Sequence, residues 1–97
     1  MSTDIQNFDP VTVPLQKPVE HDGKSYAELT FREAELGDLC AADHFKGEMT
    51  KTAAVLAGMA EVPIQVVRKL KARDANAIID RVGHLMGNDS KPTTGAT

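Results

Sequence analysis

Cys40 and His44 stand four positions apart, a spacing that would set a thiol and an imidazole on one helix face. A metal site needs more ligands, and no second Cys or His stands at suitable spacing. As nucleophile and base the pair has no third group to orient the imidazole. We read Cys40 as a buried small thiol and His44 as a surface imidazole. His21-Asp22 sits in a turn, where an Asp side chain bonds its own backbone. Glu33, Glu35 and Asp38 form a carboxylate cluster, but acids at a helix start are favoured by the helix dipole. There is no Gly-rich phosphate loop and no serine-hydrolase elbow. No enzyme, cofactor or metal site is expected.

Charge offers a different chemistry. Residues 1–45 hold nine acids and three bases, a net of −6, whereas residues 46–73 hold six bases and two acids, a net of +4. The stretch TAAVLAGMAEVPIQVVRKLKAR reads as helix, turn, helix, which raises a helix-turn-helix DNA regulator using Gln65, Arg68, Lys69 and Lys71. Only Gln65 suits base edges in the second helix, and the cations come late. Two packed helices with a solvated basic end are the better reading, and nucleic acid is not the expected partner.

The elements that must position these groups follow from periodicity. Val11, Val13 and Leu15 alternate with polar residues, as do Ala27, Leu29 and Phe31, and EHDGK between them signals a hairpin. A two-residue Asp22-Gly23 loop would set Leu15 opposite Thr30. A three-residue loop with Gly23 left-handed and a G1 bulge sets Leu15 opposite Leu29 and Val13 opposite Phe31, and this register is expected. In ELTFREAELGDL the period changes from two to helical, so a short helix starting near Ala34 is expected to fold back on the hairpin with Leu36, Leu39 and Cys40 inward. A second helix is expected over Glu48 to Ala60, with Met49, Ala53, Leu56 and Met59 or Ala60 inward. Pro63 suits the first turn of a third, with Ile64, Val67 and Leu70 apolar. A fourth, from about Ala72 to Met86, carries Ala75, Ile78, Ile79, Val82, Leu85 and Met86 at i, i+3, i+4 spacing and stops at Gly87. The fold class is therefore α+β: an antiparallel hairpin (about 11–19 and 24–32) followed by about four short helices. Residues 11–87 form one domain between a loose arm (1–10) and a polar tail (88–97).

The 97 residues suffice for one domain with a modest, aliphatic core, since aromatics are limited to Phe8, Phe31, Phe45 and Tyr26. No run approaches the ~18 apolar residues of a membrane span. The polar, acidic N-terminus predicts no secretion signal, and the single Cys fits a reducing compartment.

The order of elements resembles the small tail assembly chaperones of contractile-tailed phages, the E/41-like family. The likeness begins at VTVPLQKPVEHDGKSY and continues through the ELTFREAELGDL junction, where Arg32-Glu33 and Gly37-Asp38-Leu39 are the most distinctive residues. It ends with AAVLAGMAEVP and RDANAIIDRVGHLMG, covering roughly Val11 to Gly87. Two departures are Ala34-Glu35, where the family often has Pro-Thr, and Lys71, where an acid often stands. The resemblance implies a non-enzymatic role in the host bacterial cytoplasm: binding the tape-measure protein and keeping it soluble until tail-tube subunits assemble around it, then leaving before the virion is complete. It also implies a longer, frameshifted form in some relatives. Self-association would help a domain so poor in aromatics. Leu56, Met59, Ile64, Val67, Ile78, Val82, Leu85 and Met86 are the candidate client or oligomer contacts. Arg32 and Glu33 are expected to make structural bonds at the corner rather than client contacts.

Overall fold

The computed structural model describes residues 8–87. The chain runs β1 (Val11–His21), β2 (Lys24–Phe31), α1 (Leu36–Ala42), α2 (Glu48–Ala60), α3 (Ile64–Arg68), α4 (Ala72–Val82) and a 3₁₀ turn (Gly83–Met86). This is the expected α+β order, a two-stranded antiparallel sheet followed by four helices. Of the expected arm, residues 8–10 are exposed and without regular structure. Residues 1–7 and the expected tail, 88–97, lie outside the described residues.

The hairpin register differs from expectation. His21 pairs with Lys24, so the loop has two residues, and Asp22 and Gly23 both take positive φ (55° and 81°). That is the pattern of a type I′ turn, whose twist matches the strands. Farther out, Val13 faces Leu29 and Val11 faces Phe31. Between Pro14↔Glu28 and Val19↔Tyr26, β1 advances five positions while β2 advances two. The surplus lies between Leu15 and Pro18, none of which has a ladder partner. Pro18 has no N–H to offer a ladder, and the N–H groups of Gln16 and Lys17 donate to Asp74 Oδ1 (3.0 Å) and Oδ2 (3.1 Å). The bulge thus absorbs the Leu15–Thr30 mismatch that a two-residue loop would otherwise create. It also leaves Ala27 exposed and Tyr26 half-buried, because Tyr26 now shares a face with Val19.

A lone hairpin is marginal in water. Its apolar face is covered by α2, which packs on β2, and by α3 and α4, which pack on β1. Phe31, Met59, Val66, Ile78, Val82 and Leu85 form the fully buried centre. The expected lid, α1, packs on α2 instead and contributes only Ala42 to the interior. Leu36 and Leu39 are 74% and 45% exposed, Cys40 is exposed rather than buried, and Met49 on α2 is 69% exposed rather than inward. α1 begins at Leu36, two residues later than expected, and runs for under two turns, so its stripe lies beside the core rather than over it.

α2 ends in a Schellman arrangement: Glu61 N–H donates to Gly58 O (3.2 Å) and Val62 N–H to Ala57 O (3.0 Å), with Glu61 left-handed at φ 57°. Pro63 stands at the N-cap of α3, one place before the expected first turn. The expected fourth helix tightens at Gly83 into the 3₁₀ turn, which keeps Leu85 in the core, and Gly87 closes it at φ 85°.

Candidate functional site

Two features stand out: a polar joint at the strand-to-helix corner and an apolar groove on the helical layer. At the joint, Arg32 leaves the end of β2 and every guanidinium nitrogen is used. Nε donates to Glu61 Oε2 (3.1 Å), Nη1 to Glu33 O and Asp38 Oδ2 (2.9 Å each), and Nη2 to Gly58 O (2.7 Å) and Asp38 Oδ1 (3.3 Å). Asp38, third residue of α1, also accepts the N–H of Glu35 at 2.8 Å, the reach-back of a capping box. The backbone is fastened as well, with Arg32 N–H to Met59 O (3.2 Å) and Ala34 N–H to Leu85 O (2.8 Å). The Arg32 hydrogen bonds hold the Asp38 carboxyl below its ordinary pKa of 3.8, against the opposing effect of burial, and Asp38 in turn raises the guanidinium pKa. Both groups stay charged, and neither is poised to exchange a proton near neutrality. The corner therefore joins β2, α1, α2 and the 3₁₀ turn, as expected for Arg32 and Glu33; the Glu33 contribution is its carbonyl.

The groove runs between α2, α3 and α4 and opens to solvent. Met49, Ala53 and Leu56 from α2 face Val67 from α3, Leu70 from the connection, and Ala75 and Ile79 from α4, around about 300 Å³. Thr50, Thr52, Arg68 and Ala72 complete its walls. It exists because α3 has only five residues. A helix that short cannot fill the angle between α2 and α4, so apolar side chains of both remain accessible. A second, slightly smaller recess on the neighbouring face of α2 brings Leu39, Val55 and Met86 together with Glu48 and Lys51.

Residues 12–87 match the family described as phage tail assembly chaperone proteins, E, or 41 or 14. The chain belongs to that family. No curated protein and no solved structure matches it. A tail assembly chaperone acts in the host cell while the tail is built, with tail proteins as its partners, and the family description points to a non-enzymatic role. Among the described residues of this chaperone, no helix is long and apolar enough to cross a membrane, and no three His, Cys, Asp or Glu side chains are grouped to hold a metal ion.

The expected contact residues of the chaperone divide into two sets. Met59, Ile78, Val82 and Leu85 lie in the monomer's core, away from either recess. Leu56 and Val67 are also buried but floor the groove, Met86 is half-buried at the second recess, and Ile64 is half-buried on α3. Helical periodicity marks Met49, Leu36 and Leu39 as inward positions, but these three are exposed and, with Phe8, carry the large exposed apolar side chains among the described residues. Gln65, Arg68, Lys69 and Lys71 are all exposed. Lys69 is tied to the hairpin, donating from Nζ to Glu20 O (2.9 Å) beside His21 Nδ1 (3.3 Å). The five residues of α3 span only ~7.5 Å, too short to read a major groove.

Proposed function

We propose that this chaperone binds the tape-measure protein through the groove between α2, α3 and α4 and keeps it soluble during tail morphogenesis. A free tape measure exposes apolar helical stripes, which aggregate unless covered. An open apolar groove can receive such a stripe as a helix laid along it. The observation that carries the reading is Met49: a large apolar side chain, 69% exposed, at the mouth of a groove whose floor is apolar. Leu56 and Val67 supply that floor; Ile64 on α3 and Met86 at the second recess are further contacts. Self-association, contact with tail-tube subunits or a longer frameshifted form, residence in the host cytoplasm and absence from the mature virion belong to the same proposal.

Co-expression with the tape-measure protein tests it. The tape measure should move into the soluble fraction with the wild-type chain, and less of it with Met49→Glu, which changes an exposed position and leaves the core intact. A tape measure that is equally insoluble with and without the chain would overturn the proposal.

A further inference from the structure

We infer that the groove selects an amphipathic helix whose apolar stripe runs into a cluster of acidic residues at the end nearest the α3–α4 connection. The inference rests on the groove being the client site, and adds which client segment fits.

The segment from Arg68 to Arg73 forms a rim shared by two recesses. Arg68, Leu70 and Ala72 line the apolar groove, whereas Lys71 and Arg73, with Gln16 and Lys17 from the β1 bulge, line an adjoining polar recess of about 450 Å³. Lys71, extended at φ −69° and ψ 148°, is the N-cap of α4, and Arg73 is the second residue of that helix. Arg68, Lys71, Arg73 and Lys17 are all exposed, and none has an ion-pair partner among the described residues. The one acid in the recess, Asp74, is 4% exposed and already accepts two backbone N–H groups. Three cations, Lys17, Lys71 and Arg73, thus share the recess with one committed carboxylate, and Arg68 lines the adjacent groove, on a chain whose net charge is −3. Like charges held this way repel one another until a counter-charge arrives.

A helix lying in the groove and crossing the rim would bring its terminal residues over these cations. Carboxylates there would be paired, and lysines would be repelled. A nucleic acid would meet the same charges, but no aromatic side chain lines either recess to stack a base, and the surface beside the cations is apolar. Carboxylates beside an aliphatic stripe satisfy both halves of the surface.

The test uses the full chain and two fluorescent helical peptides with the same leucine stripe, one ending in glutamates and one in lysines. The acid-ended peptide should bind about tenfold more tightly at low salt, the sum of a few exposed pairs, with the gap closing as salt rises. The triple variant R68E/K71E/R73E should invert the preference, and that inversion itself reports a folded groove. Equal affinity of the wild-type chain for both peptides would overturn the inference, as would binding of duplex DNA in place of either peptide. If the tape measure is still solubilised when the two peptides bind equally, only the charge selection falls. If it is not solubilised at all, the client reading falls first.

Discussion

The Asp74 carboxylate accepts the backbone N–H of Gln16 at 3.0 Å, across 58 positions of sequence. Its other oxygen takes the N–H of Lys17. One side chain of α4 thereby does for β1 what a neighbouring strand would otherwise do, and the bulge persists because its donors are satisfied. Replacing Asp74 with Ala strands both N–H groups and should destabilise the fold by about 2–3 kcal/mol, given the worth of hydrogen bonds to a charged acceptor. Asp74→Asn keeps one acceptor oxygen and should cost about half as much. Urea denaturation measures both, and amide exchange at Gln16 and Lys17 should accelerate in each variant.

The corner predicts a pH dependence. The folded pKa of Asp38 is lowered by its Arg32 hydrogen bonds. Its unfolded carboxyl titrates near about 3.9, so the folded state binds fewer protons around that pH. The stabilisation is complete above the unfolded value and is lost as pH falls through the lower, folded one. Thermal melts from neutral to strongly acid pH should show the midpoint falling below about pH 4. The fall should be shallower in Asp38→Asn, and identical slopes would exclude Asp38 as the titrating group.

Gly58 is needed for space. A Cβ there would collide with the Asp38 carboxylate, which Arg32 holds in place. Gly58→Ala should therefore destabilise by about 1–3 kcal/mol, the usual cost of overpacking, although Ala in a helix interior normally gains up to about 1 kcal/mol over Gly. In an Asp38→Ala background the collision is gone and the same change should be neutral or stabilising. This sign reversal in a double-mutant cycle is the measurement.

Glu61 makes the opposite case. It holds a left-handed conformation at φ 57°, which costs a non-glycine residue about 1–2 kcal/mol. Its bond to Arg32 Nε is made by a side chain that is 73% exposed, and such a pair returns at most about 1 kcal/mol. Glu61→Gly should raise stability by up to about 1 kcal/mol by chemical denaturation.

Elements governed by local patterning were legible in the residues. α2 occupies Glu48–Ala60 as its spacing indicates, and Gly87 ends the last turn. The corner role of Arg32 also follows from its place between two periodicities. The register was not legible, because the acceptor that stabilises the bulge is contributed by a residue more than fifty positions downstream. Nor was the orientation of α1: a two-turn stripe of Leu36, Leu39 and Cys40 looks the same whether it meets the hairpin or the solvent. The groove was half legible. Leu56 and Val67 were found as apolar helix positions, but the opening depends on α3 stopping after five residues, and no residue type at its end announces that length.

The distance between Gln16 and Asp74 has a consequence for the nascent chain. A ribosome makes the hairpin before it makes α4, and until Asp74 follows the bulge lacks its acceptor. The type I′ turn can set the inner register at once, while the stretch beyond Val19 waits for its donors to be satisfied. The bulged stretch of the hairpin is therefore completed by a carboxylate that is translated after it.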